Sequence, residues 1–238
     1  MKQRSGLSRA IRFLVFAGIL ALAWHLGTGW LKRHPEHDPW APLDLRQPVG
    51  WATASKLGAL RSDPGECHAL LERSDIAFEV LDPVGEDECR RDDRTLLTAA
   101  LLTPGRTSTT CSVAAGFEFW MFHGVQPAAN EILGSPVARI EHLGAYSCRR
   151  INGSETGRWS EHATGNALDI AAFVLEDGRR VSVLNDWQDA GDKSVFLSRV
   201  RDNACDAFGT VLSPDYNAAH ADHFHLDQAA RGYGGFCR

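Results

Sequence analysis

The longest apolar run lies near the start of the chain, where Phe13 to Leu31 gives 19 residues without a Lys, Arg, Asp or Glu behind a basic leader. Crossing a bilayer takes roughly 20 apolar residues, so this stretch is expected to direct the chain into a membrane. Beyond it, Pro35, Pro39, Pro42 and Pro48 crowd the segment His34 to Gly50, too many for a helix interior, which predicts a stiff spacer. Cys67 to Leu81 reads as a short helix leading into a strand at Ile76 to Leu81, stopped by Asp82-Pro83 and followed by a polar loop from Gly85 to Arg94. From Cys111 to Leu133 the apolar residues Ala114, Ala115, Phe119, Phe122 and Val125 recur at helical spacing, with an interruption expected around Gly124 to Pro127. Val137 to Tyr146 reads as a strand. Ile170 to Leu175 and Arg180 to Leu184 read as hairpin partners about the turn Glu176-Asp177-Gly178-Arg179. Ser194 to Phe208 has helical spacing in Val195, Phe196, Val200, Ala204 and Phe208, and Gly209 is placed to end it. Thr210 to Leu212 and His223 to Asp227 complete the set as short strands.

This pattern divides the 238 residues into a basic N-terminus at 1–12, a membrane anchor or signal segment at 13–31, a Pro-rich linker at 32–60 and one domain at 61–238. The length allows one sizeable core besides the membrane segment. Charge adds an orientation. Residues 1–33 carry Lys2, Arg4, Arg9, Arg12, Lys32 and Arg33 and no acid, so the positive-inside rule keeps the N-terminus cytoplasmic and sends the rest across. Ala21-Leu22-Ala23 offers a small-residue cleavage site, but the apolar run continues through Trp24 and Trp30, which favours an uncleaved anchor. Without those six cations the chain has 19 basic against 30 acidic residues, a balance that argues against a nucleic-acid partner.

All six cysteines, Cys67, Cys89, Cys111, Cys148, Cys205 and Cys237, fall on the exported side, which predicts three disulfides in an oxidising compartment. Economy of loop length favours Cys67 with Cys89, Cys111 with Cys148 and Cys205 with Cys237, although spacing alone leaves every pairing open. There is no Cys-x-x-Cys to support a structural zinc site instead. His34 and His37 in the proline-rich tether read as solvated residues, and His123 on its helix as a packed or surface residue.

The chemistry concentrates in two separated stretches. The first is Ser160-Glu161-His162-Ala163-Thr164-Gly165-Asn166-Ala167-Leu168-Asp169, and the second is His220-Ala221-Asp222-His223-Phe224-His225. Histidines two residues apart share one face of a strand. A catalytic zinc typically takes three His or carboxylate ligands and keeps a fourth position open, and His162, Asp169 and His225 supply such a set. His223 then stands beside the metal as the group to move a proton or steady an oxyanion. Asp222 has the chemistry of a base but faces away from His225 in a regular strand, so it competes only if a bulge turns the chain. His220, at the loop entering that strand, could orient His223 or stabilise the oxyanion. Arg149 or Arg150 could hold a substrate carbonyl or carboxylate, and Ser160 is a further candidate substrate contact; a solvated basic pair is the alternative. Ser160, His162 and Asp169 also contain the residue types of a serine triad, but that reading leaves the second histidine cluster unexplained. No His-Glu-x-x-His, Gly-x-Ser-x-Gly or Walker-type loop is present.

These motifs resemble a known family. Ser160-x-His162-x-x-Gly165-x-Ala167-x-Asp169 matches the signature of the LAS metallopeptidases, which include D-Ala-D-Ala carboxypeptidases and lysostaphin-type enzymes, and His223-Phe224-His225 matches their His-x-His. The added His220 is similar to the penicillin-insensitive murein endopeptidases. The run from about Cys67 to Cys237, including Tyr146-Ser147-Cys148-Arg149 and Asn217 to Asp227, most resembles the bacterial extensin-like C-terminal domain family. The resemblance implies an α+β fold, with a central, mainly antiparallel sheet flanked by helices in the LAS/hedgehog-like manner. It implies Zn2+ on His162, Asp169 and His225, His223 as the catalytic histidine and His220 in support, with peptidoglycan cross-links as substrate. The carboxypeptidase branch places Glu three residues before its last zinc-binding His, where this chain has Asp222; that departure favours an endopeptidase.

The leading expectation is therefore a zinc metallopeptidase cutting amide bonds in peptidoglycan. It would be held by one span in the inner membrane with its C-terminal domain in the periplasm, where cell-wall synthesis or remodelling proteins are possible partners. Cleavage of the N-terminal segment would instead release it into the periplasm. The rivals are a noncatalytic peptidoglycan-binding module with a structural metal site, and a purely structural disulfide-stapled domain.

Overall fold

The structure, a computed structural model, describes residues 3–230 and 235–238; Lys2 of the basic N-terminus lies outside the described residues. With no proline before Pro35 to interrupt it, the N-terminal apolar run extends helix α1 over Gln3–Leu31. None of its most apolar window is buried against the rest of the chain. A helix that is apolar all round and unpacked needs an apolar surrounding, and among the described residues α1 is the one helix long and apolar enough to cross a membrane.

The body is mixed α and β. Two short helices, α2 (Thr53–Ala59) and α3 (Pro64–Arg73), lead to a two-stranded ribbon of β1 (Phe78–Val80) and β2 (Thr95–Leu97). Asp63 caps α3 by accepting the Glu66 N–H at 2.9 Å, and Pro64 occupies the first turn, where no N–H is required. Helix α4 (Cys111–Trp120) starts at Thr110, whose hydroxyl accepts from the Val113 N–H, and every residue in it except Glu118 is buried. The break expected around Gly124 to Pro127 does not occur. Wider π-type turns at Met121–Val125 and Ala129–Leu133 carry the helical path to Gly134, which ends it in the left-handed region at φ 70°. Gly124 is needed for packing rather than for a turn: a Cβ there would lie 2.9 Å from the Asn203 Cβ and 3.0 Å from the Trp120 ring.

The larger sheet runs in the order β3-β4-β5-β8-β7-β9, with β6 paired to β5 beside that path. Its strands are β3 (Leu102–Thr103), β4 (Val137–Gly144), β5 (Ala167–Leu175), β6 (Arg180–Ser182), β7 (Thr210–Leu212), β8 (Phe224–Asp227) and β9 (Phe236–Cys237). β5 pairs antiparallel with β4, β6 and β8, and β7 pairs antiparallel with β8; the β3–β4 and β7–β9 pairs are parallel. With partners on both edges, β5 begins three residues before the expected Ile170, which draws Asp169 out of the loop and into the strand. Residues 183–186 form a helical turn instead of extending β6, because Asp186 folds back to accept the Ser182 N–H at 2.7 Å. Helix α5 (Asp192–Ala204) packs against the π-type turns, and the Trp120 indole N–H donates to the Val200 carbonyl at 2.8 Å. Trp120, Phe173, Phe196 and Phe208 meet edge to face around that bond.

Other expectations change as well. The stretch 32–60 is not a free spacer, since Leu43, Leu45, Leu57 and Leu60 are buried in the core; prolines exclude a long helix but do not prevent leucines from packing. His34 and His37 are partly solvated, with side chains 43% and 28% exposed, and both rings stack on Trp30. His123 is packed, 4.3 Å from the Phe119 ring, with Nε2 at 2.9 Å from the Leu45 carbonyl. The disulfides join Cys67 to Cys111, Cys89 to Cys148 and Cys205 to Cys237, so two of the three expected pairings are exchanged. Loop length was the wrong criterion, because α3 lies against α4 and brings the Cys67 and Cys111 Cα atoms to 6.0 Å.

Trp120→Ala removes a fully buried ring and leaves the Val200 carbonyl without its donor. We expect a loss of about 3–5 kcal/mol in denaturant unfolding of the disulfide-intact protein; an unchanged midpoint would contradict this account of the core.

Candidate metal centre

The antiparallel register of β5 and β8 sets Asp169 directly opposite His225. His162 arrives from a different element, a 3₁₀ turn at Glu161–Thr164 that precedes β5. Ser160 caps the turn, its hydroxyl accepting the His162 N–H at 3.3 Å, and Gly165 closes it at φ 73°, donating its N–H to the His162 carbonyl at 3.2 Å. A side chain at 165 would be strained by that φ and would meet the Arg91 guanidinium at about 3 Å. Asn166 then ties the turn down by donating to Glu161 Oε2 at 2.6 Å and accepting from the Thr110 hydroxyl at 2.9 Å. The serine, glycine and asparagine of the first motif are thus accounted for by the shape of the turn that aims His162.

His162 Nε2 lies 3.1 Å from Asp169 Oδ2 and 3.1 Å from His225 Nδ1, which is itself 3.0 Å from Asp169 Oδ1. All three residues are buried, and their ligand atoms fall within 4.8 Å of one another. The outward nitrogens decide the tautomers. His162 Nδ1 faces the Ala145 carbonyl at 3.1 Å, and His225 Nε2 faces Asp227 Oδ2 at 2.9 Å, so in the neutral rings each of these carries the proton. Two nitrogen lone pairs and a carboxylate therefore converge on one buried point, an arrangement that requires a cation. The separations are close to the ~3.3 Å edge of a tetrahedron built on zinc bonds of ~2 Å. His162, Asp169 and His225 fit a divalent zinc on both donor chemistry and spacing.

Protonation in the metal-free cluster follows the same demand. Burial alone would raise the Asp169 pKa, but hydrogen bonds and charge from His162 and His225 outweigh it and hold the carboxyl well below its usual range. Burial would lower the His225 pKa, but Asp169 and Asp227 together push it up to about 9.

The cluster lies in a cleft of about 770 Å³, which Arg149, Arg158, Trp159, Ser160, Tyr216 and His220 also line. His223 directly precedes β8, with Nε2 at 3.6 Å from Asp169 Oδ1 and Nδ1 at 2.8 Å from Asp222 Oδ1. Asp222 itself has an exposed side chain and no ligand atom in the cluster. It needs no bulge, because it reaches the site through His223. The His220 ring is centred 5.2 Å from that of His223 and 5.8 Å from that of His225. Its Nδ1 donates to Asn217 Oδ1 at 2.8 Å, an oxygen that also accepts the Ala219 N–H, which leaves Nε2 as an acceptor. Burial first, then the neighbouring His223 and His225, lower its pKa to about 4. Of the two arginines, Arg149 lines the cleft, whereas Arg150 stacks on the Trp159 ring at 4.4 Å and bonds the Gly157 carbonyl.

Two supporting groups were missed from sequence. Asp227 is buried against His225 and braced by the Ala229 N–H at 2.8 Å; the two-residue strand period that pairs His223 with His225 extends to it. The Ala145 carbonyl is backbone and left no sequence signal.

Residues 65–238 match the family model described as Extensin-like protein C-terminus. No curated protein and no solved structure matches the chain.

Two outcomes follow from the cluster's charge. Below pH about 9 a metal must displace the His225 proton, so zinc affinity measured by chelator competition should rise from about pH 6 to about pH 8, by up to ~tenfold per unit for one proton. In the metal-free protein the raised His225 pKa contributes stability that is fully present below its unfolded value of 6.5 and lost as pH rises through about 9. The depressed Asp169 contributes stability present above 3.8 and lost on acidification below it. Asp227→Asn, which weakens the hold on His225 Nε2, should lower zinc affinity roughly 10–100-fold; unchanged affinity would remove Asp227 from the site.

Proposed function

We propose, from the premise that the chain belongs to the extensin-like protein C-terminus family, that it is a zinc-dependent hydrolase cleaving amide bonds in peptidoglycan peptide cross-links. The observation that carries this reading is the convergence of His162 Nε2, His225 Nδ1 and Asp169 at one buried point in an open cleft, with His223 beside them. We further propose that the sheet is the mainly antiparallel one of the LAS/hedgehog type, that α1 is a single span in the inner membrane, and that the domain works in the periplasm.

When bound to the three ligands, zinc polarises a carbonyl and lowers the pKa of water from ~15.7 toward ~7. The chain's own groups supply the rest. Asp222 holds Nδ1–H of His223, so His223 Nε2 is the nitrogen free to take a proton from water and return it to a leaving amine. Asp222 therefore acts through His223 rather than on the reacting atoms. With Nδ1 given to Asn217, His220 has no N–H left to donate to an oxyanion, and its part is to pack beside the His223 ring at 5.2 Å. Arg149 offers a planar cation to a substrate carboxylate or carbonyl, and Ser160 a hydroxyl at the cleft wall. Peptidoglycan is the proposed partner, with cell-wall synthesis or remodelling proteins alongside.

The purified chain incubated with cross-linked peptidoglycan fragments should release cleaved peptides, and a chelator should stop the reaction. His223→Ala should retain stoichiometric zinc and lose roughly 10²–10⁴-fold in turnover. A zinc-loaded wild type that binds peptidoglycan but leaves every cross-link intact would instead make this a noncatalytic module.

A further inference from the structure

We propose that the segment Pro35 to Trp51 is a second membrane contact: together with Trp30 it lies in the phospholipid headgroup zone on the exported side and holds the domain against the bilayer. The proposal rests on the reading of α1 as a membrane span and goes beyond the proposed hydrolase activity.

Depth is set by length. Phe13 to Leu31 covers 19 residues, which at 1.5 Å each is ~28 Å, close to the ~30 Å of a hydrocarbon core. With Arg12 held in one headgroup zone, Trp30 emerges at the other. Trp30 is not the end of the ordered structure. His34 and His37 stack on its ring at 4.5 and 5.2 Å, and Trp51 meets it edge-on at 5.8 Å. Trp51 also packs against His37 at 4.8 Å and donates its backbone N–H to His37 Nδ1 at 3.3 Å. The Ala52 N–H bonds the Glu36 carbonyl, and the Lys56 ammonium bonds the Pro35 carbonyl at 2.7 Å. The first turn of the body is therefore fastened to the last turn of α1. A headgroup zone is ~5–8 Å thick on each side, so Trp51 is kept at about the depth of Trp30.

What this face presents is suited to that zone. Trp51 is 71% exposed and Trp40 86% exposed, and Trp40 is three residues from His37, a reach of at most ~11 Å. Tryptophan, with an apolar ring and one polar N–H, is enriched at membrane interfaces. The exposed cations Lys32 and Arg33 sit where phosphates would be. The nearby acids are turned to internal use: Glu36 lies between His34 at 3.1 Å and His37 at 3.8 Å, and Asp38 and Asp44 accept the backbone N–H groups of Trp40 and Arg46. In water the two exposed indoles gain nothing; in the headgroup zone they add to the anchorage.

The full chain in vesicles of phosphatidylethanolamine and phosphatidylglycerol, with a phospholipid brominated near the headgroup end of its chains to read Trp40 and Trp51 and one brominated near the methyl end to read Trp24, tests this by contact quenching of tryptophan fluorescence. Trp40→Phe and Trp51→Phe should each remove part of the quenched intensity. If both remove only unquenched intensity while Trp24→Phe removes quenched intensity, α1 spans the bilayer but the domain stands clear of it and the proposal is overturned. If Trp24→Phe also removes only unquenched intensity, the span itself fails and the proposal with it. None of these readings depends on hydrolysis, so they are independent of the enzyme assignment.

Discussion

The interaction on which the site depends is the opposition of Asp169 and His225 across the β5–β8 pair, joined by His162 from the turn before β5. A buried carboxylate is costly unless it is paired, and two imidazole nitrogens whose protons are committed elsewhere cannot pair with each other. Asp227 and the Ala145 carbonyl hold those protons outward. The arrangement therefore carries an unmet demand for positive charge, which protons meet in the metal-free form and which the proposed zinc meets in the working one.

Much of the surrounding structure serves to keep that opposition in place. β5 is paired along both edges and buried over nearly its whole length, so Asp169 cannot shift without disturbing β4 and β8. The His162 turn is held through Asn166 and Thr110 to the start of α4, the most deeply buried helix of the body. The Cys89–Cys148 disulfide ties the loop before β2 to the loop that carries Arg149 into the cleft. The cleft beside the cluster is lined by His223, His220 and Arg149 among others.

The N-terminal end follows another logic. An unpacked apolar helix meets the body through a small stack of Trp30, His34, His37 and Trp51, and the leucines that follow enter the core within a dozen residues. If the headgroup contact holds, the cleft has a set height above the membrane, and only substrate at that height is within reach.

Sequence by itself determined the features that depend on local composition and period. The apolar length of α1, the helical spacing of α4 and α5, the even set of cysteines beyond the apolar run and the grouping of His162, Asp169, His223 and His225 could all be read from residue type and interval. Tertiary structure decided what depends on neighbours distant in the chain. Cys67 pairs with Cys111 because two helices pack, not because a loop is short. β5 begins early enough to include Asp169 because strands on both sides bond to it. Asp222 bonds the His223 ring instead of facing His225 across the strand, and Asp227, unremarkable in a linear motif, braces His225. The leucines of the proline-rich stretch are buried because apolar area removed from water stabilises the fold wherever the chain can reach the core. Interval along the chain specifies which face a side chain takes, whereas only packing specifies what that face meets.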